Sequence, residues 1–162
     1  MDASVEISLA RPADALPISQ MSRDLVETGL RWSWKPSRIL TMINDPDCVV
    51  IIARTRFGLA GFAMMEFHDV HAHLNLLAVK PTQRRGGVGR ALLTWLEQSA
   101  VVAGIASVHL EVRRDNTGAV RFYETLGYVA GRTLTGYYQG REDALKMTHH
   151  LIEPSLAAQR PH

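Results

Sequence analysis

The feature that most constrains this chain is a loop rich in glycine and arginine near its middle, Pro81-Thr82-Gln83-Arg84-Arg85-Gly86-Gly87-Val88-Gly89-Arg90. An apolar run precedes the loop, and apolar residues at helical spacing follow it, which predicts a strand, a loop and a helix. A helix start carries several unpaired backbone N–H groups and the positive end of the helix dipole. Glycines there leave no Cβ to hold a phosphate away from those donors. The pattern therefore predicts a site for a phosphorylated ligand.

Two common phosphate-binding loops do not fit this sequence. A P-loop places a lysine and a Ser or Thr after its last glycine, whereas Arg90 and Ala91 follow Gly89. A dinucleotide-binding fingerprint needs a third glycine where this chain has Leu92, and an acid at the end of the next strand. Glu111 instead falls inside a strand pattern. A purely structural turn with solvated arginines stays open as an alternative.

Length and composition bound the class of protein. The 162 residues are 46% hydrophobic and 21% charged, which predicts one folded domain over residues 1–152 and a flexible tail over 153–162. The net charge of +2 argues against a dedicated nucleic-acid binder. The lone Cys48 excludes an internal disulfide, and the sequence shows neither a signal peptide nor an apolar run long enough to span a membrane. We expect a cytoplasmic protein with no membrane partner.

Apolar periodicity and turn residues predict the order of the elements. Strands are predicted at residues 5–9, 48–53, 59–67, 73–79, 108–112, 128–137 and 144–151, and helices at 14–27, 37–44, 88–103 and 116–126. Pro17 limits the first helix to its opening turn or kinks it, and Gly104 and Gly127 are suited to end the last two helices. The order predicts a mixed α/β sheet with helices on both faces.

A second motif follows the loop, running from Leu110-Glu111-Val112-Arg113 through Asn116 to Phe122-Tyr123 and Gly127. Together with Arg84-x-x-Gly87-x-Gly89, it resembles the two motifs of the GCN5-related N-acetyltransferase (GNAT) family, in the same order. The resemblance covers roughly residues 72–150. It is closest to the branch that acetylates the N-terminal alanine of a ribosomal protein (RimI-like), which also carries the later signature Tyr137-Tyr138, Glu142-Asp143-Ala144 and Met147.

The resemblance implies the GNAT fold, a mixed and mostly antiparallel sheet of six to seven strands flanked by about four helices. It also implies acetyl-CoA as co-substrate. In the family, the strand before the loop splays from its neighbour and pairs through its backbone with the pantetheine arm, and the Val79 N–H helps to stabilise the thioester oxyanion. The implied cofactor-binding residues are Leu77, Ala78, Val79, Arg84, Arg85, Gly86, Gly87, Val88, Gly89, Arg90, Asn116 and Tyr123.

The catalytic candidates are Glu111 and Tyr123. Acetyl transfer needs a neutral amine, and an α-amine, with a pKa of about 7.7–8.0, is largely protonated at neutral pH. Glu111 can take that proton directly or through a water, unless it is simply an exposed residue on the polar face of its strand. By the resemblance, Tyr123 protonates the departing thiolate; otherwise it is a core aromatic. Asn116 contacts the cofactor, caps its helix, or does both.

Several alternatives remain open. The acceptor is either the N-terminal α-amine of a protein or peptide, or a small amine such as a polyamine, an amino acid or an antibiotic-like molecule. A non-catalytic acyl-CoA sensor and either a monomer or a homodimer are also compatible with the sequence. The run His68, Asp69, His71 and His73 falls on a predicted turn, so we predict no metal site there, and only His73 is considered for a role near the acceptor. His149, His150 and His162 lie near the end of the chain and are expected to be solvated.

Overall fold

The computed structural model describes residues 4–152, and the chain divides into two compact units. Of the described residues, the N-terminal unit comprises residues 4–66 together with Leu74–Leu96, and the C-terminal unit comprises Phe67–His73 together with residues 97–152. The single domain over residues 1–152 stays a prediction. The tail predicted for residues 153–162 lies outside the described residues.

Within residues 4–152 there are seven strands and four α-helices. The strands are β1 (Glu6–Leu9), β2 (Cys48–Thr55), β3 (Gly58–Phe67), β4 (His71–Val79), β5 (Ser107–Arg113), β6 (Val129–Tyr138) and β7 (Glu142–His150). The helices are α1 (Ala15–Met21), α2 (Pro36–Asn44), α3 (Val88–Val102) and α4 (Thr117–Thr125). The hydrogen-bonded strand order is β1-β2-β3-β4-β5-β7-β6, with β4 and β5 parallel and the registered pairs β1/β2, β2/β3, β5/β7 and β6/β7 antiparallel. This confirms the predicted fold class.

The core of the N-terminal unit forms on strands that are buried on both faces. In β2, Val50, Ile51 and Ile52 are at most 4% exposed, although their side chains alternate between the two faces. A strand that is covered on both faces has an almost continuous apolar sequence. The apolar run at residues 48–53 predicted such a strand. The cluster that packs one face of the sheet against α1 and α2 consists of Ala15, Ile18, Met21, Ile39, Cys48, Val50, Ile52, Phe62, Met64, Leu76 and Ala78.

The helix predicted over residues 14–27 is divided into three parts, which is more than Pro17 alone would cause. A 3₁₀ turn at Pro12–Asp14 leads into α1, and Ser22–Val26 form a wider π-helical turn closed by a bond from Glu27 N–H to Ser22 C=O of 2.9 Å. The wider turn brings the buried carboxylate of Glu27 toward the following loop. There it accepts hydrogen bonds from the Ser33 and Trp34 backbone N–H groups at 2.7 and 3.1 Å. The carboxylate thereby fixes the loop that carries Trp32 and Trp34.

The C-terminal unit is organised by β5, which has one apolar and one polar face. Val108 and Leu110 are at most 1% exposed, while His109 and Glu111 point to the other, partly exposed face. The antiparallel register with β7 pairs Glu111 with Lys146 and continues the polar face onto that strand. Among the described residues, the parallel register of β4 with β5 covers His71–His73. The end of β4, at residues 77–79, therefore lies beyond this pairing.

Candidate active site

The glycine loop of the N-terminal unit has the conformation that an anion site needs. A 3₁₀ turn at Pro81–Gln83 is followed by Arg85 and Gly87 with φ of 69° and 83°, and α3 begins at Val88. A side chain at Gly87 would be strained at this φ. The first N–H groups of α3 have no acceptor within their own helix, and they lie at the positive end of its dipole. The side chains of Arg84, Arg85 and Arg90 are exposed around them. This set of donors fits a pyrophosphate-like group.

The end of β4 is held close to β3 by a glycine. A Cβ built on Gly61 of β3 would lie 2.7 Å from the Ala78 carbonyl oxygen and 3.3 Å from the Val79 Cα. Only glycine permits this approach of the two backbones. On the loop side, Arg84 Nε donates a 3.2 Å hydrogen bond to the Val79 carbonyl. Both contacts fix the backbone of the residues expected to bind the pantetheine arm.

In the C-terminal unit, Glu111 is paired with a histidine. Glu111 Oε2 lies 2.5 Å from His73 Nε2, and the two side chains are 16% and 29% exposed. Burial alone would raise the pKa of Glu111. The hydrogen bond and charge of His73, together with the charges of Lys146 and His109, outweigh burial and hold that pKa below its usual value. Glu111 is therefore ionised at neutral pH, as a general base must be.

Little in the sequence singles out His73 as the partner of Glu111. It lies in the polar run at residues 68–73, which includes a turn, and 38 residues separate it from Glu111. The contact arises because the parallel register places His73 beside His109, with Glu111 two residues further along the same face of β5. The available signal was a histidine that alternates with the buried Ala72 and Leu74 and so lies on the other, partly exposed face of β4.

Tyr123 lies on α4, where its side chain is buried. Its ring packs edge to face against Phe122 and Tyr128, with centroids 5.2 and 5.6 Å apart. Burial, with a smaller effect of Tyr138, raises the pKa of the Tyr123 hydroxyl above its usual value. The hydroxyl is therefore protonated at neutral pH and able to donate a proton. At the start of α4, Asn116 Oδ1 accepts a 3.1 Å hydrogen bond from the Ala119 N–H, so the predicted helix cap is present.

Tyr138 on β6 interacts electrostatically with both catalytic candidates. Burial raises the pKa of Tyr138, and the charges of Tyr137 and Glu111 raise it further. The same hydroxyl contributes to the raised pKa of Tyr123. The Arg113 guanidinium stands 5.9 Å from the Tyr138 ring centroid. Tyr138 is thus within electrostatic range of both the Glu111 carboxylate and the Tyr123 hydroxyl.

A second polar cluster in the same unit includes Tyr128, whose ring packs against Tyr123. Glu97 Oε2 is 2.6 Å from His149 Nδ1 and accepts a 3.4 Å hydrogen bond from the hydroxyl of Tyr128, which is 2% exposed. The expectation that His149 is solvated was wrong, because this bond holds its ring against Tyr128 with centroids 5.0 Å apart. The cluster anchors the aromatic ring on which Tyr123 packs.

Among residues 4–152, no group of three or more His, Cys, Asp and Glu side chains has the geometry to hold a metal ion. No helix of that part of the chain has the length and apolarity needed to cross a membrane.

Comparison with known proteins gives the family. The family model described as "Acetyltransferase (GNAT) family" matches residues 19–128, more than half of the chain. The chain therefore belongs to the GNAT family, as its two motifs indicated.

Similar proteins include N-acetyltransferases. The [ribosomal protein bS18]-alanine N-acetyltransferase of Escherichia coli K12 is 39% identical over 92 residues, which are 55% of this chain and 62% of that protein. N-alpha-acetyltransferase 20 of Dictyostelium discoideum is 41% identical over 90 residues, covering 55% and 52%. The matches thus span less than two thirds of the length of these relatives.

Solved structures agree with the fold over nearly the whole chain. Ard1 of Thermoplasma volcanium has a TM-score of 0.81 at 26% identity, covering 92% of this chain and 99% of that one. The E. coli ribosomal-protein-S18-alanine N-acetyltransferase has a TM-score of 0.80 at 26% identity, covering 93% and 96%.

Proposed function

We propose that this protein is an acetyl-CoA-dependent N-acetyltransferase that acts on the N-terminal α-amine of a protein or peptide. The observation that carries the proposal is that the C-terminal unit holds both an ionised Glu111, hydrogen-bonded to His73, and a protonated, buried Tyr123. Acetyl transfer to an amine needs one group that accepts a proton and another that donates one. Membership of the GNAT family supports the reaction class.

In the proposed reaction, the exposed arginines and the first turn of α3 bind the pyrophosphate of acetyl-CoA. Glu111 accepts a proton from the substrate ammonium, and the neutral amine attacks the thioester carbonyl directly, without an acyl-enzyme. The Val79 N–H stabilises the oxyanion. The carbon–sulfur bond then breaks, and Tyr123 donates its proton to the thiolate, so that free coenzyme A leaves as a thiol. The second proton that the acetylated nitrogen loses restores the Tyr123 hydroxyl, and Glu111 returns its proton to solvent.

The choice of an α-amine as acceptor rests on two observations. The relatives just described are named for acetylation of ribosomal protein alanine and of N-terminal α-amines. In addition, an α-ammonium has a pKa about two units or more below that of lysine, so a carboxylate base can deprotonate it more readily. Tyr137 and Tyr138, which pack edge to face with centroids 4.9 Å apart, are suited to form a wall beside the acceptor.

A thiol-release assay with acetyl-CoA tests the proposal. The acceptors are peptides with a small free N-terminal residue, the same peptides with a blocked N-terminus, and a set of free polyamines and amino acids. We expect turnover of the free peptides and none of the blocked ones, with one acetyl group located on the α-nitrogen by mass spectrometry. Turnover of free small amines alone would favour a small-molecule acetyltransferase, and acetyl-CoA binding without any turnover would favour a sensor.

Tyr138→Ala is expected to raise the peptide KM by about 10-fold or more, because removing a half-buried aromatic ring beside the acceptor costs about 1.4 kcal/mol or more. The KM for acetyl-CoA is expected to change less than 3-fold, measured by varying each substrate in turn. Phe57→Ala is the control, since it removes a 70% exposed ring from the turn between β2 and β3. Equal changes in both KM values would contradict a role of Tyr138 on the acceptor side.

Acetyl-CoA is expected to raise the melting temperature by roughly 5–10 °C at 100 times its Kd, since binding to the folded state alone contributes about 2.7 kcal/mol. Pantetheine, which lacks every phosphate, should give a much smaller shift at the same concentration because the loop has no anion to bind. Differential scanning fluorimetry measures both. Equal stabilisation by NAD, or none by acetyl-CoA, would contradict the assignment of the glycine loop.

A further inference from the structure

We propose that Asp143 is a positioning residue for the acceptor peptide, because its carboxylate holds the irregular part of β6 that directs Tyr138 toward the peptide. This inference rests on the proposed function and deepens it, since it names the group that sets the wall beside the acceptor. Asp143 acts through the backbone of Gly136 and the side chain of Tyr138, and not by contact with a substrate.

The pairing of β6 with β7 is irregular beside Asp143. Leu134 of β6 pairs with Ala144 of β7, and Tyr138 pairs with Glu142. The three residues of β6 between these pairs therefore lie opposite Asp143 alone. The residues of such a bulge lose the partners of a regular ladder, and a bulge turns the side chains of its strand in a new direction. The bulge thus sets where the side chain of Tyr138 points.

The side chain of Asp143 supplies an acceptor that the ladder lacks at this point. Its Oδ1 accepts a 2.9 Å hydrogen bond from the Gly136 N–H, and the Gly136 carbonyl accepts a 2.9 Å bond from the Gly140 N–H. Gly136 has a φ of 64°, a conformation that glycine adopts without strain. Both backbone polar groups of Gly136 are thus bonded, which fixes the direction in which the chain continues to Tyr137 and Tyr138.

Asp143 also joins the bulge to the end of β5. Its backbone carbonyl accepts a 3.0 Å hydrogen bond from the N–H of Arg114, the residue that follows this strand. On the same strand, the Arg113 guanidinium lies 5.9 Å from the Tyr138 ring centroid, and Glu111 acts electrostatically on the Tyr138 hydroxyl. One residue is therefore bonded both to the bulge and to the strand that carries the proposed base. Loss of its carboxylate would change the position of Tyr138 relative to Glu111.

Steady-state kinetics of Asp143→Ala and Asp143→Asn test the proposal. We expect alanine to raise the peptide KM by about 10-fold, the effect of losing one hydrogen bond to a charged group. The kcat and the KM for acetyl-CoA should change by less than about 3-fold, since the interaction with the peptide is the same before and during the reaction. Asparagine keeps an oxygen that can accept the Gly136 N–H, so the peptide KM should stay within about 3-fold of the wild-type value. Arg141→Ala, which removes an exposed side chain from the same turn, is the control and should change none of these values.

A double-mutant cycle separates positioning from a general loss of structure. In a Tyr138→Ala background, Asp143→Ala should raise the peptide KM by less than about 2-fold further, because the side chain through which Asp143 acts is already absent. A further increase equal to that of the single variant would overturn the proposal, since Asp143 would then affect the peptide by another route.

A second measurement does not depend on turnover. The chain has four tyrosines, so a sample labelled on the tyrosine rings gives few NMR signals, and Tyr138→Phe identifies that of Tyr138. We expect Asp143→Ala to shift this signal and Asp143→Asn to shift it less. An unmoved Tyr138 signal in Asp143→Ala, or a wild-type peptide KM, would overturn the role of Asp143 and leave the proposed function intact. Absence of turnover of every peptide by the wild type would reject the proposed function itself, while the NMR signals would still report whether Asp143 positions Tyr138.

Discussion

Replacing Tyr123 by phenylalanine is expected to lower kcat by roughly 10²-fold to 10⁴-fold, the range usual for loss of a general acid. The substitution removes one oxygen and keeps the ring, so its packing against Phe122 and Tyr128 is retained. The affinity for acetyl-CoA should change little, because the substitution does not alter the glycine loop that we propose binds the pyrophosphate. Steady-state kinetics with a free peptide measure the change in kcat, and the thermal shift caused by acetyl-CoA reports whether its binding has changed.

Tyr137→Phe is the matched control for this prediction. Tyr137 also carries a hydroxyl in the C-terminal unit, but its side chain is 48% exposed, and we expect its removal to alter kcat less than 3-fold. If Tyr123→Phe keeps near-normal turnover, Tyr123 is a packing residue of α4 and the acid must be sought elsewhere. Tyr138, whose pKa is also raised by burial, would be the next hydroxyl to test.

Local sequence patterns were sufficient for most of the fold. The alternation of Val108, Leu110 and Val112 predicted a strand with one buried face, and all three are at most 7% exposed. Gly104 has a φ of 84°, in keeping with a helix that ends just before it. These elements could be predicted because their signals come from neighbours in the chain: side-chain periodicity, capping and positive φ.

The contacts that the sequence did not reveal join distant residues. Glu97 and His149 are 52 positions apart, and His73 and Glu111 are 38 apart. Each pair depends on which strands are neighbours and in which register, and the apolar pattern of a single strand does not determine this. The roles of Glu111, Tyr123 and the glycine loop came from resemblance to a family. The partner of Glu111, His73, could be identified only from the pairing of β4 with β5 in the structure.

The second large effect is expected from Gly61→Ala. The new methyl group would lie 2.7 Å from the Ala78 carbonyl oxygen, and both atoms belong to paired strands, so the backbone of β4 would have to move. Overpacking of this kind costs about 1–3 kcal/mol, and we expect the upper part of that range because no flexible side chain can yield. Denaturant titration should report the lost free energy of unfolding, with an m-value that stays unchanged.

The same displacement should also weaken acetyl-CoA binding, because Ala78 and Val79 belong to the strand end that is expected to bind the pantetheine arm. We expect Kd to rise by about 10-fold, which corresponds to about 1.4 kcal/mol, measured at a temperature where the variant is folded. Gly118→Ala is the control: on α4 its methyl group would find only Asn116 Oδ1, 3.9 Å away. That substitution should leave Kd unchanged and raise stability by about 0.4–1 kcal/mol. A Gly61→Ala variant that is less stable but binds acetyl-CoA normally would show that the approach of β3 to β4 serves the fold alone.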